Sequence, residues 1–191
     1  MLLLFKSLVQ PHLDYCSQLW CPSSQYHINL IEGVQRGLVS RIRGQGLEDL
    51  TYCDKLRSLR LYSQERRRER YQMIYIWKIS QGMVSGYNIP FSDTLTRSGR
   101  MAILPPLARP SSTPAAVKRA REHSLLVRGA KLFNLLPASL RNANHGDILM
   151  FKNHIDIYLS CVPDQPTNQG EIRGASTNSL IDQVPLMRGW N

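Results

Sequence analysis

Arg66, Arg67, Arg68 and Arg70 are the residues of this sequence best suited to chemistry. A guanidinium is planar, forked and always charged, so a row of them can grip phosphate oxygens in pairs. They lie in Ser63–Gln81, SQERRRERYQMIYIWKISQ. Ser63 has the hydroxyl an N-cap needs, which makes the arginine-rich half the first turns of a helix. That placement is unfavourable by itself. Cations there face the positive end of the helix dipole, at roughly 0.3–1 kcal/mol each when exposed. Arg66–Arg70 and Glu65–Glu69 are like-charge i,i+4 pairs, and Glu65–Arg68 and Arg66–Glu69 offset part of the strain. Two readings fit the pattern. One is an arginine stripe that takes a polyanion, favoured by charge and by dipole. The other is an ordinary solvated helix face.

Further cations lie elsewhere. Arg36, Arg41 and Arg43 fall off the apolar stripe of the segment 25–43. A second cluster holds Lys118, Arg119, Arg121, Arg128 and Lys131. Aromatic residues for base stacking are sparse around it, so contact with a nucleic-acid backbone fits better than base readout; a solvated basic loop fits as well. The candidate phosphate donors are Arg66, Arg67, Arg70, Arg36 and Arg41, followed by Arg128 and Lys131.

Other chemistries find less support. His12, Cys16, Cys21 and His27 have the residue types of a zinc site. Their spacing, H-x3-C-x4-C-x5-H, matches no standard pattern, and Leu19 and Trp20 point to a buried helix pair instead. A two-metal polymerase or nuclease needs clustered carboxylates. The 14 acidic residues include no Asp-Asp pair. There is no glycine-rich phosphate loop and no recognisable Ser–His–Asp nucleophile motif. The four cysteines, at 16, 21, 53 and 161, make no disulfide pattern and read as reduced, intracellular thiols, nuclear or cytoplasmic. MLLLFKSLVQ lacks the basic region and cleavage site of a signal peptide.

Charge is distributed unevenly. The chain carries a net +10, and residues 161–191 hold a net −1, so residues 1–160 carry +11. Arginine outnumbers lysine 18 to 6, which favours forked phosphate contacts. This is the electrostatic footprint of a nucleic-acid binder, and an acidic protein partner would suit it too.

These residues must be positioned by helices. The second half of Ser63–Gln81 carries Tyr71, Met73, Ile74, Tyr75, Ile76, Trp77 and Ile79. At 100° per residue they point in every direction, so this half should be buried all round. An apolar run of about nine residues is well short of the roughly 20 a membrane span needs, so no membrane is expected. Leu2–Gln10 is helical in pattern, and Pro11 either kinks it or starts a second helix, Pro11–Trp20. Gln25–Arg43 is amphipathic, with Ile28, Ile31, Val34, Leu38 and Ile42 on one stripe. Its Gly33 and Gly37 allow close backbone approach. Thr51 caps a short helix through Leu59, and Gly82 and Gly86 close the central helix. Five prolines mark residues 87–117 as loop. Met101–Leu104 and Ser124–Val127 have strand character, enough for one short β-hairpin. Arg128–Leu136 is a short helix stopped by Pro137. Asp147–Ser160 is amphipathic, with Ile148, Phe151, Ile155, Tyr158 and Leu159 facing inward. The expected architecture is mainly α. It comprises a helical region at 1–86, a Pro/Ser-rich loop region at 87–122, a helical region at 123–160 and a disordered tail at 161–191.

Taken in order, several stretches share a pattern with one family. LVQPHLDYCSQLWCP (8–22) and IEGVQRGLVSRIRG (31–44) resemble the region after the polymerase core in reverse transcriptases of non-LTR (LINE, jockey-like) retrotransposons. Pro11, His12, Leu13, Tyr15, Trp20, Val34, Gln35 and Arg36 carry the match. LRSLRLYSQERRRERYQMIYIWKISQG (56–82) is similar to that family's L-x-x-L-x-L-x-x-x-x-x-R-R segment. HSLLVRGAKLFNLLPASLR (123–141) is similar to its R-x-x-K-x-W-N-x-L-P block, with Phe133 where Trp is usual. MFKNHIDIYL (150–159) resembles its closing F-K-x-x-L-x-x-Y-L. Together the matches cover about residues 2–160. The resemblance implies a thumb and post-thumb region of an RNA-directed DNA polymerase, whose helices grip the backbone of RNA or RNA–DNA duplex. It also implies a C-terminal fragment, since palm, fingers and endonuclease sequences are missing. No catalytic residue carries over, Mg²⁺ would belong to the missing palm, and no cofactor is expected in this chain. A stand-alone basic protein-interaction module is the alternative.

Overall fold

The computed structural model describes residues 1–22, 24–44, 46–86, 114–142, 147–167 and 178–186. Helices dominate, and there is no strand among the described residues. The chain divides into two compact units, Met1–Arg68 with Pro163–Asn191, and Glu69–Val162.

The first unit opens with α1 (Leu2–Leu4), a π-helical turn (Phe5–Val9) and α2 (Gln10–Asp14). Pro11 does not break the run. A proline cannot donate to the carbonyl four residues back and its ring crowds that carbonyl. The backbone widens just before it, and Gln10 N–H bonds Phe5 O, five residues back. Phe5 and Gln10 face inward; Leu3, Leu4 and Leu8 face water.

Helix α3 (Gln25–Val39) stops short of Arg41 and Arg43. The expected stripe is only half-buried at Ile28, Ile31, Leu38 and Ile42 and exposed at Val34, and the fully buried residues of the helix are Glu32, Gln35 and Val39. A Cβ on Gly37 would meet nothing within 4 Å, so no backbone approaches closely there. In α4 (Tyr52–Ser58), Thr51 Oγ1 accepts from Asp54 N–H at 3.3 Å, the cap its sequence predicts.

Helix α5 (Gln64–Ser80) begins where Ser63 predicts, with Ser63 Oγ accepting from Arg66 N–H at 3.1 Å. Met83 N–H bonds Lys78 O as the chain leaves through Gly82, whose φ of +69° an L side chain rarely adopts. Residues Gln64–Arg68 of this helix belong to the first unit and Glu69–Ser80 to the second.

The second unit's core is built on the apolar half of α5. Met73, Ile74, Ile76, Trp77 and Ile79 are buried there. They are joined by residues of α7 (Ala130–Leu135) and α9 (Ile148–Ser160), among them Leu132, Phe133, Phe151, Ile155 and Leu159. Trp77 stacks on Phe151 with ring centroids 4.7 Å apart, worth about 0.5–1.5 kcal/mol beyond area burial. Asp147 caps α9 by accepting from Leu149 N–H at 3.0 Å. Leu136 turns extended ahead of Pro137, the conformation a following proline favours, and α8 (Ala138–Asn142) follows.

The structure corrects three expectations. Ser124–Val127 forms no strand. Ser124 precedes a π-helical turn, Leu125–Gly129, in which local bonds such as Arg128 N–H to Ser124 O satisfy the backbone. This turn sets Gly129 against Ile76, where a Cβ would come within 2.8 Å of Ile76 Cγ1. The loop expected through residue 122 ends earlier, at α6 (Ala115–Glu122). The Met101–Leu104 strand and the rest of the proline-rich stretch up to residue 113 lie outside the described residues. Finally, parts of the stretch expected to be a disordered tail are built into the first unit: Pro163–Thr167, and Asn178 onward through α10 (Leu180–Leu186). Asn178, Ser179 and Leu180 are buried. A largely polar segment is ordered here by hydrogen bonds together with the burial of Leu180.

Candidate nucleic-acid interface

The arginines of α5 form neither an open anion stripe nor a solvated face. Successive residues leave a helix 100° apart, so each guanidinium meets a different wall, and each wall supplies an oxygen.

Arg66 is fully buried. Its Nη2 donates to Pro163 O at 3.0 Å, Asn178 O at 3.1 Å and Gln183 Oε1 at 2.6 Å. Arg67 holds Asp14 through both Nε and Nη2, at 3.0 and 2.8 Å. Arg68 lies over the Trp20 ring at 4.1 Å and donates to Leu13 O and Trp20 O. Burial favours the neutral form of Arg68 and lowers its pKa. In the second unit Arg70 forks onto Asp156 at 2.5 and 2.7 Å. Arg128 reaches Glu69 at 2.9 Å, with the Glu69 side chain entirely out of water. Forked, charge-assisted contacts of this kind are about twice as strong as neutral ones.

The remaining predicted donors are placed differently. Arg36 is half-buried; its Nη2 donates to Thr167 O at 2.9 Å and its guanidinium lies 4.5 Å above the Tyr52 ring. Arg41 and Lys131 are exposed. Three exposed arginines were not among the candidate donors read from the sequence: Arg43 beside Arg41, and Arg57 and Arg60 at the end of α4. Only Arg57 of these three has an ion pair, a 3.5 Å contact to Asp54 that is 74% exposed on the arginine side, and such pairs hold little energy. The signal that would have separated Arg41 and Arg43 from the α5 arginines is position. They follow the last helical turn, where no neighbouring wall comes with the helix.

Beneath these cations lies a buried polar network. Glu32 Oε1 accepts from Tyr52 Oη at 2.5 Å, and Oε2 accepts from Gln64 N–H at 2.6 Å. Gln64 Nε2 donates to Gln35 Oε1, and Gln35 Nε2 donates to Tyr62 O. Burial pushes the Glu32 carboxyl up to about 7, and Asp164 adds to the rise. The bonds from Tyr52 and Gln64 and the charge of Arg36 oppose it. Burial and the neighbouring Glu32 likewise raise the Tyr52 phenol. Folded Glu32 therefore binds its proton more tightly than the unfolded chain does, for which 4.5 is the reference. The stability this contributes is complete below pH 4.5 and is lost as pH rises through about 7. Over that window the difference in unfolding free energy between wild type and Glu32→Gln should change by about 3 kcal/mol. Urea titrations at several pH values measure it, and a pH-independent difference would refute it.

Among the described residues no group of three or more His, Cys, Asp or Glu is placed to hold a metal ion. The four cysteines are free thiols. No helix among the described residues is long and apolar enough to cross a membrane. Comparison of the chain with known protein families, with curated proteins and with solved structures finds no match.

Proposed function

We propose that this chain is the non-catalytic C-terminal region of a LINE-type RNA-directed DNA polymerase, and that it holds RNA or RNA–DNA duplex by its phosphates. The observation that carries the binding reading is the exposure of Arg57 on α4 and of Arg41, Arg43 and Arg60 in the stretches that follow α3 and α4. In this reading the α5 arginines, Arg128 and Arg70 among the second unit's residues included, support the fold, and Arg41 leads the contact surface with Arg43. Lys131 offers a separate exposed cation on the second unit. Guanidinium–phosphate contacts of this kind position a duplex without reading its bases. Catalysis and Mg²⁺ would belong to the polymerase's palm, and the palm and endonuclease domains would be partners. The ordered motif matches over about residues 2–160 and the +11 charge of residues 1–160 support the family reading.

Charge reversal tests it. Arg41→Glu with Arg43→Glu should weaken RNA–DNA duplex binding at least about tenfold at low salt and lower the log–log salt slope by about two. Fluorescence anisotropy with a labelled duplex reads both. An unchanged affinity would sink the assignment of these residues.

One observation favours a second reading, a basic protein-interaction module. Met1, Leu3, Leu4 and Leu8 are 63%, 78%, 61% and 63% exposed, and clustered apolar exposure often marks a protein interface.

A further inference from the structure

Arg66 is a fully buried cation whose three hydrogen-bond acceptors are all neutral oxygens. Its Nε and Nη1 are buried with no hydrogen-bond partner. A buried charge is costly unless it is paired, so this site is built for an anion that Arg66 does not hold. Beside it is the N-terminus of a 17-residue helix, where free N–H groups and the dipole favour negative charge. That position is occupied. Asp164 takes the Ser63 N–H on Oδ2 and the Ser63 hydroxyl on Oδ1, both at 2.7 Å, and Asn178 Nδ2 adds a bond to Oδ1 at 2.6 Å.

The occupant and the cover come from one part of the chain. Asp164 and all three oxygens on Arg66 belong to the segment Pro163–Thr167 and Asn178–Leu186. Thr167 O of the same segment caps Arg36. The stretch beyond residue 160 is also the part of the chain with net negative charge, against +11 before it. A carboxylate that takes the Ser63 N–H and hydroxyl at a helix N-terminus uses the donors a phosphate oxygen would use there.

We propose that Pro163–Thr167 and Asn178–Leu186 form an autoinhibitory strap whose Asp164 carboxylate stands in for a nucleic-acid phosphate at the start of α5. Displacing the strap frees Ser63 N–H and Arg66 together, and adds a phosphate site to the exposed arginines. The apparent affinity of the chain is then reduced by the fraction of molecules with the strap seated. This inference rests on the phosphate-binding function proposed above.

The test compares full-length wild type, Asp164→Asn and Asp49→Asn for binding a labelled RNA–DNA duplex at low salt. Asp49 is exposed, so its variant makes the same charge change away from the strap. The expected result is about tenfold tighter binding for Asp164→Asn and less than about twofold for Asp49→Asn. Equal effects of the two overturn the strap and leave phosphate binding standing; absence of binding by all three forms overturns both. A second measurement needs no variant to fold. Amide exchange across residues 178–186 in wild type should speed up when duplex saturates the protein. Unchanged or slower exchange there overturns the proposal.

Discussion

Replacing Arg128 with methionine should destabilise the second unit by about 3–5 kcal/mol. The Glu69 carboxylate is entirely out of water and Arg128 meets it at 2.9 Å with its own side chain 11% exposed. Truncating the arginine takes a cation away from a buried anion, and that penalty outweighs the modest worth of an intact buried pair. The same logic predicts asymmetry. Glu69→Leu combined with Arg128→Met should recover most of the loss, because a desolvated ion pair is then exchanged for apolar contact. Amide exchange of the α5 and α9 core, which reports local opening free energies, measures the change. A loss below about 1 kcal/mol for Arg128→Met would show that the pair is not desolvated as described.

Arg66→Ala should cost the first unit about 3 kcal/mol or more, from a large buried void and from three acceptors left without a donor. The burial of a cation among neutral oxygens works against this figure, since removing the charge relieves its desolvation. The acceptors decide the sign. Pro163 O, Asn178 O and Gln183 Oε1 all turn to Arg66. Loss should therefore appear first as proteolytic cleavage within residues 163–186, ahead of global unfolding. Arg41→Ala, on an exposed side chain, should stay within about 0.5 kcal/mol of wild type. Equal stability of the Arg66 and Arg41 variants would contradict the burial of Arg66.

The contrast between those two arginines shows what the sequence carried. Local signals were legible. Ser63 and Thr51 cap the helices they were expected to cap, Gly82 ends α5, and Pro137 ends the turn before it. Each depends on residues within four or five positions. The apolar half of α5 announced itself as core because its side chains leave no polar face. Arginine fates were not legible, because the partners are remote in sequence. Arg67 and Asp14 are 53 residues apart, Arg128 and Glu69 59, and Arg70 and Asp156 86. Within a helix, nothing local distinguishes an arginine with a distant carboxylate from one in solvent. Composition misled in the same way at α3 and beyond residue 160. Glu32 and Gln35 are polar and yet buried, and Asp164 and Asn178 order a polar segment through hydrogen bonds to Ser63. Burial of polar groups is decided by complementary partners, and hydrophobic periodicity does not register them.

The dependence of RNA–DNA duplex affinity on salt tests the central claim most directly. Phosphate contacts release condensed counterions, so log K should fall linearly with log salt, at a slope near −0.9 for each phosphate neutralised on a duplex of B-form charge density. With Arg41, Arg43, Arg57 and Arg60 as the exposed donors, the predicted slope is about −3 to −4. A slope near zero, or no binding at low salt, would contradict phosphate recognition and leave the basic face to an acidic protein partner.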